Sequence, residues 1–134
     1  MDKRRKGNGI KSKTMSLQPI TIQAGGYTVR DFFPSEDGDF VLPMAFYDGT
    51  TTATPSVLTG RTFSFEVFDL AGSSLGVYEI GSGITVLSNV VTVLIELEDW
   101  ALWKKNCDLK YEFKQVLSTG IRYPLLKGKF RITT

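Results

Sequence analysis

Six cations crowd the start of this chain. Lys3, Arg4, Arg5, Lys6, Lys11 and Lys13 face a single acid, Asp2, so the segment carries about +5 of charge and the remainder about −3, within a total of +2. A stretch so charged and so poor in apolar side chains cannot bury enough surface to fold by itself. Residues 1–16 therefore read as an extended basic arm, and residues 17–134 as one folded body. Three roles suit such an arm. It can lie in an acidic groove of a protein partner, where the planar fork of arginine suits fixed acceptor sites. It can neutralise phosphates on a nucleic acid, or it can serve as a solubilising tail. No aromatic residue precedes Tyr27, so the stacking platform that single-stranded nucleic acids use is missing beside the charge. Docking on a neighbouring protein is the expected role, with nucleic-acid contact as the alternative.

Elsewhere the residue types argue against catalysis. The chain has no histidine and one cysteine, Cys107. Without histidine the commonest general base near neutral pH and the commonest transition-metal ligand are gone, and serine–histidine and cysteine–histidine nucleophile pairs cannot form within the chain. A zinc site would have to be built from carboxylates almost alone. A lone cysteine also excludes an internal disulfide, and Cys107 reads as a small core filler. Glu36-Asp37-Gly38-Asp39 places three acids around a glycine but lacks the longer ligand spacing and distal glutamate of a calcium loop, so a turn is expected. Ala24-Gly25-Gly26 and Gly81-Ser82-Gly83 lack the lysine–serine and helix context of phosphate loops, and read as turns too. No enzyme, metal or cofactor is expected.

These residues sit on a body that reads as strands. Phe40, Leu42, Met44 and Phe46 form one apolar row, with Pro43 marking an edge position or a bulge. Phe63, Phe65 and Val67 alternate with polar neighbours. Val91, Val93, Ile95 and Leu97 alternate with Thr92, Leu94 and Glu96, and Leu109, Tyr111 and Phe113 with Lys110, Glu112 and Lys114. This period of two is the mark of half-buried antiparallel strands. Turn-forming clusters such as Asp48-Gly49 and Ser118-Thr119-Gly120 separate the runs. Strands are expected near 20–33, 40–47, 62–69, 77–87, 90–97, 108–117 and 121–132. In the last run the apolar phase changes at Leu125-Leu126, which implies a bulge or a crossing between sheets. Between 98 and 105 acids open and lysines close a short segment, as a helix dipole favours. It should form one or two helical turns, with Trp100 and Trp103 sharing a face that closes the core or, alternatively, stacks on a sugar or anchors a partner.

The expected fold is all-β: an antiparallel two-layer sandwich of seven or eight strands, with one short helical crossing and the N-terminal arm. No run is apolar enough to span a bilayer. The apolar block of a signal peptide does not follow the first charges, so a protein kept or assembled in the cytoplasm is expected.

The order of features resembles a family. Ile20-Thr21-Ile22-Gln23-Ala24-Gly25, then Phe46-Tyr47-Asp48-Gly49, then Leu58 to Val67, resemble the N-terminal immunoglobulin-like domain of bacteriophage baseplate upper proteins and related virion accessory domains. Gly83 to Val86, Val90 to Leu97, a short helical crossing, Leu109 to Phe113 and Leu126 to Ile132 continue in the same order. The resemblance implies an immunoglobulin-like sandwich acting as a non-enzymatic adaptor of a tailed-phage particle. It would dock on other virion structural proteins of the tail, neck or head in a multi-copy assembly, a position from which family members often anchor a fibre. Family members usually continue into a coiled coil or a further domain, whereas this sequence stops just after Ile132, which implies a free-standing adaptor or decoration protein assembled in the host cytoplasm. Carbohydrate binding also fits a sandwich, but the sequence shows no clear exposed cluster of aromatic and acidic residues.

Overall fold

The computed structural model describes residues 15–16, 19–23, 27–49, 54–117 and 119–134. Among them ten strands and one 3-10 helix follow in chain order. The strands are β1 (Met15–Ser16), β2 (Ile20–Ile22), β3 (Thr28–Val29), β4 (Phe40–Phe46), β5 (Thr62–Phe68), β6 (Ser74–Ile80), β7 (Gly83–Leu87), β8 (Val90–Ile95), β9 (Leu109–Val116) and β10 (Arg122–Phe130), and the helix is Leu97–Leu102, between β8 and β9. They form one curled sheet in the order β1-β4-β8-β7-β6-β5-β9-β10-β3, with β2 also paired to β4. The protein is all-β.

Alternation makes the core. Phe63, Phe65, Val67, Val91, Val93, Ile95, Tyr111 and Phe113 are all buried in one cluster, as the period of two requires. On β5 and β9 the register sets Phe65 opposite Phe113 and Val67 opposite Tyr111. The Phe65 and Tyr111 rings stack at 5.1 Å. Strand β4 is not a neighbour of β5 in the sheet, yet Phe46 meets Phe63 at 5.3 Å and Phe40 meets Phe130 at 5.2 Å. The sheet therefore folds back on itself, and one aromatic core fills the space between its two halves.

The chain passes between the halves at a kink. Strand β6 pairs with β5 and β7 pairs with β8, both antiparallel. Between them Gly81 and Gly83 take φ of 86° and 96°, a conformation that glycine adopts without steric cost. A single expected strand at 77–87 is thus two strands.

The sheet is mixed rather than wholly antiparallel. Strands β1 and β2 run parallel to β4, and β3 runs parallel to β10. These contacts are two or three residues long, too short to leave an alternating pattern in the sequence. The pairing of Met15 with Phe40 also brings the last two residues of the segment assigned to the arm into the sheet.

Two irregularities fall where the residue types put them. The Phe46 N–H donates to Asn89 on the β8 side, while the Tyr47 N–H donates to Ile22 on the β2 side. By this alternation the nitrogen of Pro43 faces away from β8. There β1 pairs with Phe40 and Val41, and β2 with Met44 to Phe46, so Pro43 lies opposite the gap between them. Its missing donor costs nothing at that position. On β10, Phe113 pairs with Leu126 and Lys114 with Pro124, which leaves Leu125 as the extra residue of a bulge.

The 3-10 helix closes one end of the core. Trp100 and Trp103 are buried against Phe130. The Asp39 carboxylate accepts the Leu97 N–H at 2.8 Å, and the Lys105 ammonium donates to the carbonyls of Trp100 and Trp103. An acid at the start and a lysine at the end satisfy helix termini that lack partners of their own.

Candidate functional site

At one end of the curled sheet the two halves leave a cavity of about 410 Å³. Strands β2 and β4 contribute Ile22 and Phe46, β9 contributes Gln115, and the bulged stretch of β10 contributes Tyr123, Pro124 and Leu125. Gln23, Tyr27, Tyr47, Asp48, Ser56 and Arg61 line the rest of the described wall from the segments around these strands. Bulges recur beside binding sites because they re-aim side chains. Here the extra residue puts Tyr123, opposite Gln115, on the same side of the strand as Leu126, opposite Phe113, although the two are three residues apart.

Local structure fixes each polar group. The chain leaves β4 at Tyr47 and returns at Pro55, which bridges to Tyr47; the Asp48 N–H donates to Thr54 and the Ser56 N–H to Phe46. That return sets the Ser56 hydroxyl 2.7 Å from the Asp48 carboxylate, to which it donates. On the opposite wall Arg61 donates through Nη1 to Oε1 of Gln115 at 3.3 Å. Gln115 is only 9% exposed and sits directly across from Tyr123 in the sheet register. Tyr27 and Tyr123 are about half exposed at 48% and 45%. The Lys127 ammonium lies 4.3 Å from the centre of the Tyr27 ring, a cation–π contact that holds the ring.

Among the described residues Asp48 is the one carboxylate in the wall, whereas most glycoside hydrolysis needs two flanking carboxylates. Ser56 has no histidine to activate it, and its proton is already committed to Asp48.

The sequence-based candidates fall elsewhere. Lys3, Arg4, Arg5, Lys6, Lys11 and Lys13 lie outside the described residues. Trp100 and Trp103 are core closures with little face left for a ligand. Glu36 to Gly38 form a turn, in which Ser35 Oγ accepts the Asp37 N–H, and Asp39 caps the helix. Among the described residues no group of three or more acidic, cysteine or histidine side chains is placed to hold a metal. Cys107 is half-buried against the core. No helix among the described residues is long and apolar enough to cross a membrane.

The expectation that an exposed cluster of aromatic and acidic residues is lacking is corrected by Tyr27, Tyr123 and Asp48 around one cavity. Sequence reasoning passed over them because Asp48 reads as a turn residue and the tyrosines fall at strand ends. The phase change at Leu125-Leu126 was the one signal pointing there. No protein-family model matches the chain, and no curated protein matches it.

Proposed function

We propose that the chain is a non-enzymatic structural adaptor of a tailed-bacteriophage particle, docking on neighbouring virion proteins through its basic arm and its sheet edges. The observation that carries this reading is the outer edge of the sheet. Strand β3 is last in the sheet order, and the edge segment bears Val29 at 65% and Phe33 at 54% exposure. Large apolar side chains on a strand with no outer neighbour among the described residues suit a partner that adds to the edge. The segments that carry the phage resemblance also fall in order on β2, β4, β5, β7, β8, the 3-10 helix, β9 and β10, around one core. The immunoglobulin-like character of the fold, the multi-copy assembly and the host cytoplasm as assembly site belong to the same proposal.

Removal of residues 1–14 tests the arm's part. The truncated body keeps β1 and every later strand, so its melting temperature should stay close to that of the complete chain, while its occupancy in assembled particles should fall. Undiminished occupancy would show that the arm does not dock. Loss of folding would show that it belongs to the core.

A further inference from the structure

We propose that the cavity between β4 and the bulged end of β10 binds a small neutral saccharide. Its volume of about 410 Å³ lies in the range of small-molecule sites, roughly 300–1,000 Å³. The wall offers two chemistries side by side. Tyr27 and Tyr123 expose flat rings with an apolar body and a polar tip, the surface on which the C–H face of a sugar ring packs. Asp48 accepts hydrogen bonds, Arg61 donates them, and the amide of Gln115 does both. A hydroxyl group also does both, so adjacent hydroxyls on one ring can satisfy this mixed set.

The charge balance narrows the ligand further. Among the described lining residues Asp48 and Arg61 are the charged side chains and their formal charges cancel, with the Lys127 ammonium beside the cavity held against the Tyr27 ring, so the lining itself carries no net charge to favour a phosphate or a carboxylate. The polar groups are also held before any ligand arrives. Ser56 fixes Asp48, the sheet register fixes Gln115, and Gln115 takes one donor of Arg61 among the described residues while the guanidinium carries five. Such preorganisation lowers the cost of binding. The described lining holds one carboxylate rather than the flanking pair of most glycoside hydrolysis, which suits retention of the sugar. Nothing in this inference depends on the virion reading, and it is tested on the isolated chain, so the two succeed or fail separately.

The test is saturation-transfer NMR of the full chain with the methyl glycosides of glucose, galactose, mannose, rhamnose and N-acetylglucosamine. Glucose 6-phosphate and an uncharged tripeptide serve as comparators. At least one neutral glycoside should receive saturation, strongest at its ring C–H protons. Arg61→Ala should weaken its Kd about tenfold or more, as loss of a charged hydrogen bond does. Tyr123→Ala, at an exposed position that leaves the core intact, should weaken it by several-fold. No transfer to any of the glycosides, transfer unchanged in Tyr123→Ala, or preferential binding of the phosphate or the tripeptide would overturn the proposal.

Discussion

The Tyr111 hydroxyl donates to the Arg30 carbonyl at 2.6 Å, tying β9 to a segment 81 residues earlier. Directly across the sheet from Tyr111 lies Gly128, and a Cβ there would stand 2.1 Å from the same Arg30 oxygen. The Arg30 carbonyl is therefore gripped between a donor and a residue that has no side chain to obstruct it. This contact holds the 28–36 segment along β10 and the residues that follow it, where Phe32 donates to Lys129 and Glu36 to Thr133.

Two substitutions separate these roles. Tyr111→Phe should cost about 0.5–1.5 kcal/mol, the net worth of one intramolecular hydrogen bond. Gly128→Ala should cost more, about 1–3 kcal/mol, because backbone rather than a flexible side chain must yield. Urea titrations of both variants give the comparison. A Gly128→Ala variant as stable as the parent would show that the close approach is not maintained in solution.

Removal of a core ring should be severe. Phe65 is fully buried and contacts Phe40, Tyr111, Phe113 and Phe130 across both halves of the sheet. Phe65→Ala should lower the unfolding free energy by about 3–5 kcal/mol. Stability unchanged by this substitution, measured by chemical denaturation, would contradict the folded-back sheet.

Alkaline pH should loosen the fold through two phenols. Burial, reinforced by Asp99, pushes Tyr78 well above the ordinary tyrosine range; burial, reinforced by Asp31, does the same for Tyr111. A group whose folded pKa is raised contributes its full stability below its unfolded value, about 10, and loses that contribution as pH climbs toward the folded value. The denaturation midpoint should therefore be insensitive to these groups near neutrality and fall above about pH 10. Replacing Tyr78 and Tyr111 together with phenylalanine should flatten that fall, as followed by urea midpoints across the alkaline range. An unchanged slope in the double variant would contradict the assignment.

Much of the fold was legible because burial on one face imposes a period of two. Phe63, Phe65 and Val67 announce β5, and the out-of-phase Leu125-Leu126 pair announces a bulge that the register places at Leu125. Strand β1 was not legible, and the single strand expected at 20–33 is two short ones, β2 and β3. Two residues cannot establish a period, and their parallel pairing depends on distant partners, Phe40 and Leu126. The cavity was hidden for the same reason. Arg61 and Gln115 are 54 residues apart, and Asp48 meets Ser56 only because the chain turns back between Tyr47 and Pro55. Local pattern carries burial well and long-range polar pairing poorly.

The most direct test of the assembly role is quantitative mass spectrometry of gradient-purified phage particles from a strain carrying the gene, before and after nuclease treatment and a high-salt wash. A structural adaptor should be present at a fixed ratio to the major virion proteins and stay bound through both treatments, since sheet-edge contacts are not released with counterions as phosphate contacts are. Absence from the particles, or release with the nucleic acid, would contradict the account.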